Sequence, residues 1–319
     1  MVSVYNKDQI LGVLPGIDLV KEIAAAFTDY SAGRSDVPPV GELLFPEVKG
    51  ELHIKYGAVQ GRERFVIKVA TGFYQNPKLG LPPFGGCMLV LSQKTGAVEA
   101  VLLEEGELTN HRTAVAGAVA AKYLAPKTVS AIGIVGGGVQ ARLQADYLRQ
   151  VTDCRQLHLW ARNSEQAKTA AEDIGEMGFN VSIEKEVSDL CAVSQLIITT
   201  TPAHKPIITA DMIGPGTHIT AMGSDSAHKN ELDPKLLARA NKLVVDSLSQ
   251  CANSGELHHA LDAGLIKEND AIELGSVVAG PAQGRSSNED ITIADLTGVA
   301  VQDIAIALAV TAKLEVGSQ

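Results

Sequence analysis

Apolar and polar positions follow two different rhythms along this chain. In RERFVIKVATGFY they alternate, so that Phe65, Ile67 and Val69 share one face of an extended strand and Val66, Lys68 and Ala70 share the other. CMLVLSQKTGAVEAVLLEE places two branched apolar runs on either side of QKTG, the form of a hairpin with a Gly-containing turn. One helix precedes them, near IDLVKEIAAAFTDYSAG. This first part of the chain predicts a sheet-rich unit.

The rhythm then changes. LTNHRTAVAGAVAAKYLAP reads as an Ala-rich helix closed by Pro126. After it, short apolar strands alternate with helices: SAIGIVGG, QLHLWAR, NVSIEK, QLIITTT, THITAMG and KLVVDS. Strands spaced in this way require right-handed crossovers, and so predict a doubly wound parallel sheet covered on both faces. The last segment, DLTGVAVQDIAIALAVTAKLEVG, is apolar enough to pack as a helix, and its periodicity leaves open which unit it joins.

Composition narrows the function classes. A chain of 319 residues with 45% hydrophobic residues can bury the core of two domains or one large one. The net charge is −10, and the basic residues are scattered, which argues against a nucleic-acid surface or an anionic membrane as partner. Small molecules and other proteins remain. Cys87, Cys154, Cys191 and Cys251 are far apart, without a CxxC pair or His at ligand spacing, so they read as buried free thiols and no metal is expected. MVSVYNKDQILGVL lacks the basic and long apolar stretches of a targeting segment, and no run approaches the roughly 20 apolar residues of a membrane helix. A cytoplasmic location is the expectation.

Chemistry enters at the turns. In IGIVGGGVQARLQADYLRQ a strand ends in Gly136, Gly137 and Gly138 and a helix begins at about Val139, giving G-x-G-x-x-A with Ala141 as its last member. Small residues there let the backbone turn tightly and approach a pyrophosphate, which faces the first amides of the helix. At the end of the next strand, HLWARNSEQA has Arg162 and no carboxylate. Arg162 can pair with a 2′-phosphate, stack on adenine or stay solvated, so the choice between NAD and NADP stays open.

Three further groups can carry charge to a site. The alternation puts Lys68 on the wetter face of its strand, since Lys is seldom buried unpaired. Arg112 lies on an apolar helical stripe, with Val115, Ala116 and Val119 following at i+3, i+4 and i+7; it needs an anion there, either an internal acid or a substrate carboxylate. In ITAMGSDSAHKNELD, Asp225, His228 and Lys229 follow a strand, and Asp233 before Pro234 is a helix start. Ligand crevices of open parallel sheets lie beyond the carboxyl ends of strands, a position shared by TTTPAHKP one strand earlier.

FVIKVATGFYQNP, KTGAVEAVLLEEG, LTNHRTAVAGAVAAKYLA, IGIVGGGVQARLQ, TTTPAHKP, AMGSDSAHKNELD, GELHHAL and DLTGVAVQD, in this order, resemble the ornithine cyclodeaminase and mu-crystallin family. The likeness runs from about residue 40 to the C-terminus. The resemblance implies a substrate-binding and dimerisation domain of residues 1–120 and 296–319 around an inserted Rossmann domain of residues 121–295, and a homodimer. It implies that Lys68 and Arg112 hold the substrate carboxylate, with Lys68 also moving a proton, and that Asp225 faces the reacting amine or imine. The dinucleotide would be lined by Thr113, Gly136, Gly138, Val139, Gln140, Ala141, Arg162, Thr200, Thr201, Met222, Gly223 and Ser224.

The chain departs from the family pattern at one clamp. Many members carry an Arg shortly after the first Pro-rich segment, where VPPVGELLFPEVKGELHIKYG has Val40 and Gly41. Lys55 or His53 is the expected replacement. GFYQNPKLGLP and AMGSDSAHKNEL look most like the ectoine-utilisation branch of the family. The family's shared step is hydride transfer between a nicotinamide and the alpha carbon of an amino or imino acid. A surplus of basic side chains, including His53, Lys55 and Lys229, favours NAD(P)H-dependent reduction of a small imino acid, with an acidic one such as iminosuccinate, giving L-aspartate, among the candidates. An ornithine-type cyclodeaminase with tightly bound NAD is the first alternative, and an NAD(P)H-dependent binding protein the second.

Overall fold

The computed structural model describes residues 2–317. The chain divides into two compact units, one comprising the chain up to Arg112 and again from Val299, the other Thr113–Gly298.

The first unit is built on seven strands: β1 (Ser3–Asn6), β2 (Ser35–Asp36), β3 (Gly41–Phe45), β4 (Gly50–Val59), β5 (Arg64–Phe73), β6 (Phe84–Ser92) and β7 (Val98–Leu103). They lie in the order β1-β7-β6-β5-β4-β2, with β3 paired to β4. All pairings are antiparallel except that of β1 with β7. β6 and β7 form the hairpin expected around QKTG. The register of β4 on β5 sets Lys55 opposite Lys68 and His53 opposite Ala70. Because successive side chains alternate between faces, Lys55, His53 and Lys68 share one side of the sheet.

Helices α1 (Lys7–Val13) and α2 (Leu19–Ser31) precede the sheet. Asp18 caps α2 by accepting from the Lys21 amide, and Leu19, Val20, Ile23, Ala26 and Phe27 form its buried stripe. α3 (Glu107–Leu124) follows the sheet, and the division between units falls within it. The C-terminal helix, numbered α11 below, covers Ala300–Gly317 and returns to this unit, packing on α2, β4 and β5. Ala300, Val301, Ile304, Ile306, Ala307, Val310 and Leu314 are its buried apolar residues, and Arg64 grips Glu315 at 3.0 and 2.9 Å with both terminal nitrogens. Burial of each large apolar side chain contributes about 1.5–3 kcal/mol, which offsets the three polar residues, Gln302, Asp303 and Thr311, that the same helix buries.

The second unit contains β8 (Ile132–Val135), β9 (Gln156–Trp160), β10 (Asn180–Ile183), β11 (Leu196–Thr199), β12 (His204–Ile208), β13 (His218–Ala221), β14 (Asn230–Leu232), β15 (Lys242–Val245), β16 (Ala271–Glu273) and β17 (Thr292–Asp295). Its helices are α4 (Val139–Leu148), α5 (Ser164–Glu176), α6 (Val187–Val193), α7 (Pro234–Arg239), α8 (Leu248–Cys251), α9 (Gly255–Asp262) and α10 (Leu274–Val278), before α11. The main sheet is parallel throughout, in the order β10-β9-β8-β11-β13-β17-β15-β16, and the order reverses direction at β8 and β11. β12 and β14 form a separate parallel pair. The fold is α/β, a doubly wound parallel sheet in one unit and a sheet-rich α+β arrangement in the other.

Two local expectations need correction. DITIADLTG contains a strand, β17, which sits in the middle of the sheet between β13 and β15. Its four residues are too short a run to show a period, and the buried Thr292 and Asp295 disguise it as a polar lead-in to the last helix. Of the cysteines, Cys191 and Cys251 are buried, but Cys87 and Cys154 are only partly so. No helix among the described residues is long and apolar enough to cross a membrane.

Candidate active site

Lys68 points to the opposite environment from the one its strand pattern suggested. Its side chain is 2% exposed and its ammonium lies 2.9 Å from Oδ1 of Asp303 on α11. The wet-face expectation fails because α11 covers β5, a long-range packing that alternation along one strand does not encode. Arg112 joins the same carboxylate: its Nε donates to Asp303 Oδ1 at 3.1 Å, and its Nη1 donates to Gln302 Oε1 at 2.9 Å. Its anion is therefore an internal acid in this structure.

Charge is unbalanced in this cluster. Burial raises the Asp303 carboxyl on its own, but Lys68, Arg112 and Lys55 outweigh it and hold that carboxyl below its ordinary value. Lys68 is lowered to about 7, by burial first and by the neighbouring Arg112 and Lys55 charges against the pull of Asp303. Glu104, at the end of β7, is also buried; its Oε2 accepts from the Leu108 amide at 2.8 Å, and burial raises its carboxyl. Asp303 Oδ2, Gln302 Nε2 and Glu104 Oε1 are buried polar atoms without a protein partner. Such atoms normally find one, so the cluster is chemically suited to a polar ligand.

Neither Asp303 nor Gln302 was singled out from the sequence. Their signal is a polar pair inside the apolar helical run GVAVQDIAIALAV. Of the expected cations, Lys55 is the one whose charge acts on Lys68 and Asp303. His53 instead contacts Glu42 at 3.1 Å on the exposed part of the sheet.

In the second unit, Gly136, Gly137 and Gly138 connect β8 to α4, whose N-cap is Gly138 and whose first residues are Val139 and Gln140. Gly136 has φ +133, and a Cβ there would lie 2.3 Å from Thr200 Oγ1. Nothing lies within 4 Å of a Cβ at Gly138. The loop thus has its tight turn at Gly136 and open space at Gly138, beside the first amides of a ten-residue helix. Ala141 is fully buried under it, and Arg142 holds the loop carbonyls of Gly137 and Gly138 at 2.9 and 3.0 Å. These features fit a dinucleotide pyrophosphate.

The remaining expected cofactor residues cluster at strand ends of the same unit. Thr200 donates through its amide and hydroxyl to Val135 O, at 2.8 and 3.3 Å. Gln144, missed in the sequence, contacts Thr113 O and Gln140 Oε1 at 3.5 Å and Met222 Sδ at 2.7 Å. Thr201 and Gly223 both donate to Glu231, and Ser224 Oγ donates to Lys229 O at 2.7 Å. Arg162 is exposed just past β9. Asp225 is more than half exposed and its Oδ1 pairs with Lys229 at 2.6 Å, so these two expected site residues bind each other here. His228 stacks on His204, with ring centroids 5.1 Å apart. Among the described residues there is no group of three or more His, Cys, Asp or Glu that could hold a metal ion.

Known proteins share this architecture along nearly the whole chain. An uncharacterized cyclodeaminase, y4tK, of Sinorhizobium fredii is 44% identical over 310 residues, 96% of this chain and 94% of its own. The iminosuccinate reductase of Paracoccus denitrificans, solved with NAD+, superposes with a TM-score of 0.93 at 31% identity, covering 99% of this chain and 97% of its own. An archaeal alanine dehydrogenase dimer with bound NAD gives a TM-score of 0.92 at 32% identity, covering 100% and 97%. The family model for ornithine cyclodeaminase and mu-crystallin matches residues 7–318, and the chain belongs to the ornithine cyclodeaminase/mu-crystallin family.

Proposed function

We propose that this protein is a nicotinamide-dependent oxidoreductase that reduces a small imino acid at its alpha carbon, with an acidic substrate of the iminosuccinate type as the preferred case. The observation that carries the proposal is the buried Lys68–Asp303–Arg112 cluster, in which two cations share one carboxylate and a third cation, Lys55, acts on both. A cluster with cations in excess is stabilised by an incoming anion. The two relatives solved with NAD, one a reductase of an imino diacid and the other a dehydrogenase of a small amino acid, support the reaction class.

A bound NAD or NADP would supply or accept a hydride at the nicotinamide ring. Gly136, Gly138, Val139, Gln140 and Ala141 would hold its pyrophosphate end, and NAD is the preferred cofactor because both related structures were solved with it. Arg112 and Lys68 bind the substrate carboxylate. Lys68, lowered to about 7, gives a proton to the substrate nitrogen during reduction and takes it back in the reverse direction. Asp303 is a positioning residue that orients both cations. Lys55 receives a second carboxylate, and Asp225 favours the protonated, more electrophilic iminium by placing negative charge beside it. The proposed assembly is a homodimer, for which exposed Leu43, Leu44, Phe45 and Val48 at and beside the edge strand β3 provide an apolar surface.

One assay panel tests this. Purified protein is given oxaloacetate plus ammonia, pyruvate plus ammonia, or a cyclic imine with NADH or NADPH, and separately ornithine with catalytic NAD. The expected result is stoichiometric, ammonia-dependent NADH consumption, fastest with oxaloacetate. Ammonia release from ornithine without net redox change, or dinucleotide binding without any turnover, would overturn the proposal.

A further inference from the structure

Beyond β11 and β13 the backbones stop pairing with each other, the last matched residues being Thr199 and Ala221. A single carboxylate ties them together again. Glu231, in the middle of β14 and fully buried, accepts from Thr199 Oγ1 at 2.7 Å and from the Gly223 amide at 2.8 Å through Oε2. Through Oε1 it accepts from the amide and the hydroxyl of Thr201, at 2.6 and 2.8 Å. Gly223 and Thr201 are pressed so close that a Cβ on Gly223 would lie 2.0 Å from Thr201 O and 2.7 Å from the Glu231 carboxyl carbon. Only glycine permits that approach.

β14 is itself held. Glu256 on α9 accepts from the Glu231 amide at 2.7 Å, from the Leu232 amide at 3.0 Å and from Asn230 Nδ2 at 2.6 Å. A buried carboxylate is a costly way to join two loops unless their spacing has to be fixed, because burial opposes its charge and four donors are needed to compensate.

We propose that Glu231 is a positioning residue for the nicotinamide end of the dinucleotide. It sets the separation of the segments Thr199–Thr201 and Met222–Ser224, whose Thr200, Thr201 and Gly223 the family resemblance puts beside the nicotinamide, and the inference rests on the proposed dinucleotide-dependent function. The mechanism is specific to a carboxylate. In Glu231→Gln the side-chain NH2 must face either the Gly223 amide or the Thr201 amide, two donors that cannot turn away, whereas the hydroxyls of Thr199 and Thr201 can rotate. One strand end is then pushed from the other.

The test compares wild type with Glu231→Gln and Thr199→Val by NADH fluorescence titration, steady-state kinetics and amide hydrogen exchange. The expected result for Glu231→Gln is a rise of about tenfold in the NADH Kd and KM, the scale of one buried donor left facing another. The KM for the imino acid should stay as in wild type, and exchange at Thr201 and Gly223 should quicken. Thr199→Val, which removes one of the four donors and keeps the side-chain shape, should move the same readouts less, and it carries the test if Glu231→Gln does not fold. Unchanged NADH Kd and exchange in the folded variant, even with a lower Tm, would overturn the inference and leave the dinucleotide reading intact. A wild-type protein that binds neither NADH nor NADPH would overturn the dinucleotide reading and Glu231's role with it.

Discussion

Lys68, Arg112 and Asp303 are buried in one unit, and Glu231, Glu256, Asp295 and Asp246 in the other. The first group mixes signs. Its members are neutralised in part by each other, cations remain in excess, and burial, with the neighbouring Arg112 and Lys55 charges, lowers Lys68 to about 7. In the second group every member is an acid, and the donors around them are backbone amides, hydroxyls, an Asn side chain and the Cys251 thiol. Burial pushes Glu256 up to about 7 and Asp295 well above its ordinary value. An unbalanced ionic cluster can take up an ion, whereas acids surrounded by fixed backbone donors hold loops in place. Burial of charge therefore leaves an unbalanced cluster in one unit and holds loops in place in the other.

The sharpest way to break this contrast is to remove the shared anion. Asp303→Ala leaves two cations buried without their carboxylate and should destabilise the unit by about 3–5 kcal/mol, read by chemical denaturation. A loss below about 1 kcal/mol, the size expected of an exposed pair, would refute the buried-cluster account.

Next in size is the pH response, where the two regions should pull in opposite directions. Lys68 is lowered from 10.5 to about 7 on folding, so its contribution is complete above pH 10.5 and is lost as pH falls to about 7. Glu256 is raised from 4.5 to about 7, so its contribution is complete below pH 4.5 and is lost as pH rises through about 7. Stability should therefore dip near neutrality. Lys68→Met should remove the alkaline recovery and Glu256→Gln the acid one. If Lys68 is the proton donor, reductive turnover should decline as pH rises through about 7, and Lys68→Met should lose about a hundredfold in turnover while still binding NADH.

The smallest expected effect separates geometry from ligand contact within one loop. Gly136→Ala should cost about 1–3 kcal/mol, since φ is +133 and Thr200 stands in the way. Gly138→Ala should change stability by less than about 0.5 kcal/mol and still weaken NADH binding, because its Cβ enters the open space to which the proposed function assigns the pyrophosphate. Equal Tm losses in the two variants would contradict this division of roles.

Much of this was legible from local pattern. The hairpin β6–β7, the capped helix α2, the strand alternation of β8 to β11 and the glycine turn before α4 all lie in stretches where period, caps and turn residues act within a few residues. β17 was not, since four buried residues containing Thr292 and Asp295 carry no period of their own. Glu231 and Glu256 were equally hidden. An acid in NELD or in GELHHAL reads as a surface residue until the chain folds backbone donors around it.

By itself the amino-acid order determined the class of the fold, the glycine turn before α4, and the placing of Lys68 on a strand, Arg112 on a helix and Asp225 just after a strand, because those signals are short-range. Only the tertiary structure decided which groups meet. Lys68 is separated from Asp303 by 235 positions, and its burial and lowered pKa come from α11 returning to β5. Asp225, prominent in the sequence, emerged half-solvated and paired with its neighbour Lys229, while Asp303, unnoticed in an apolar helix, became the buried anion. Ionisation depends on desolvation and on charges a few ångströms away, and the chain reports neither until its distant segments are packed.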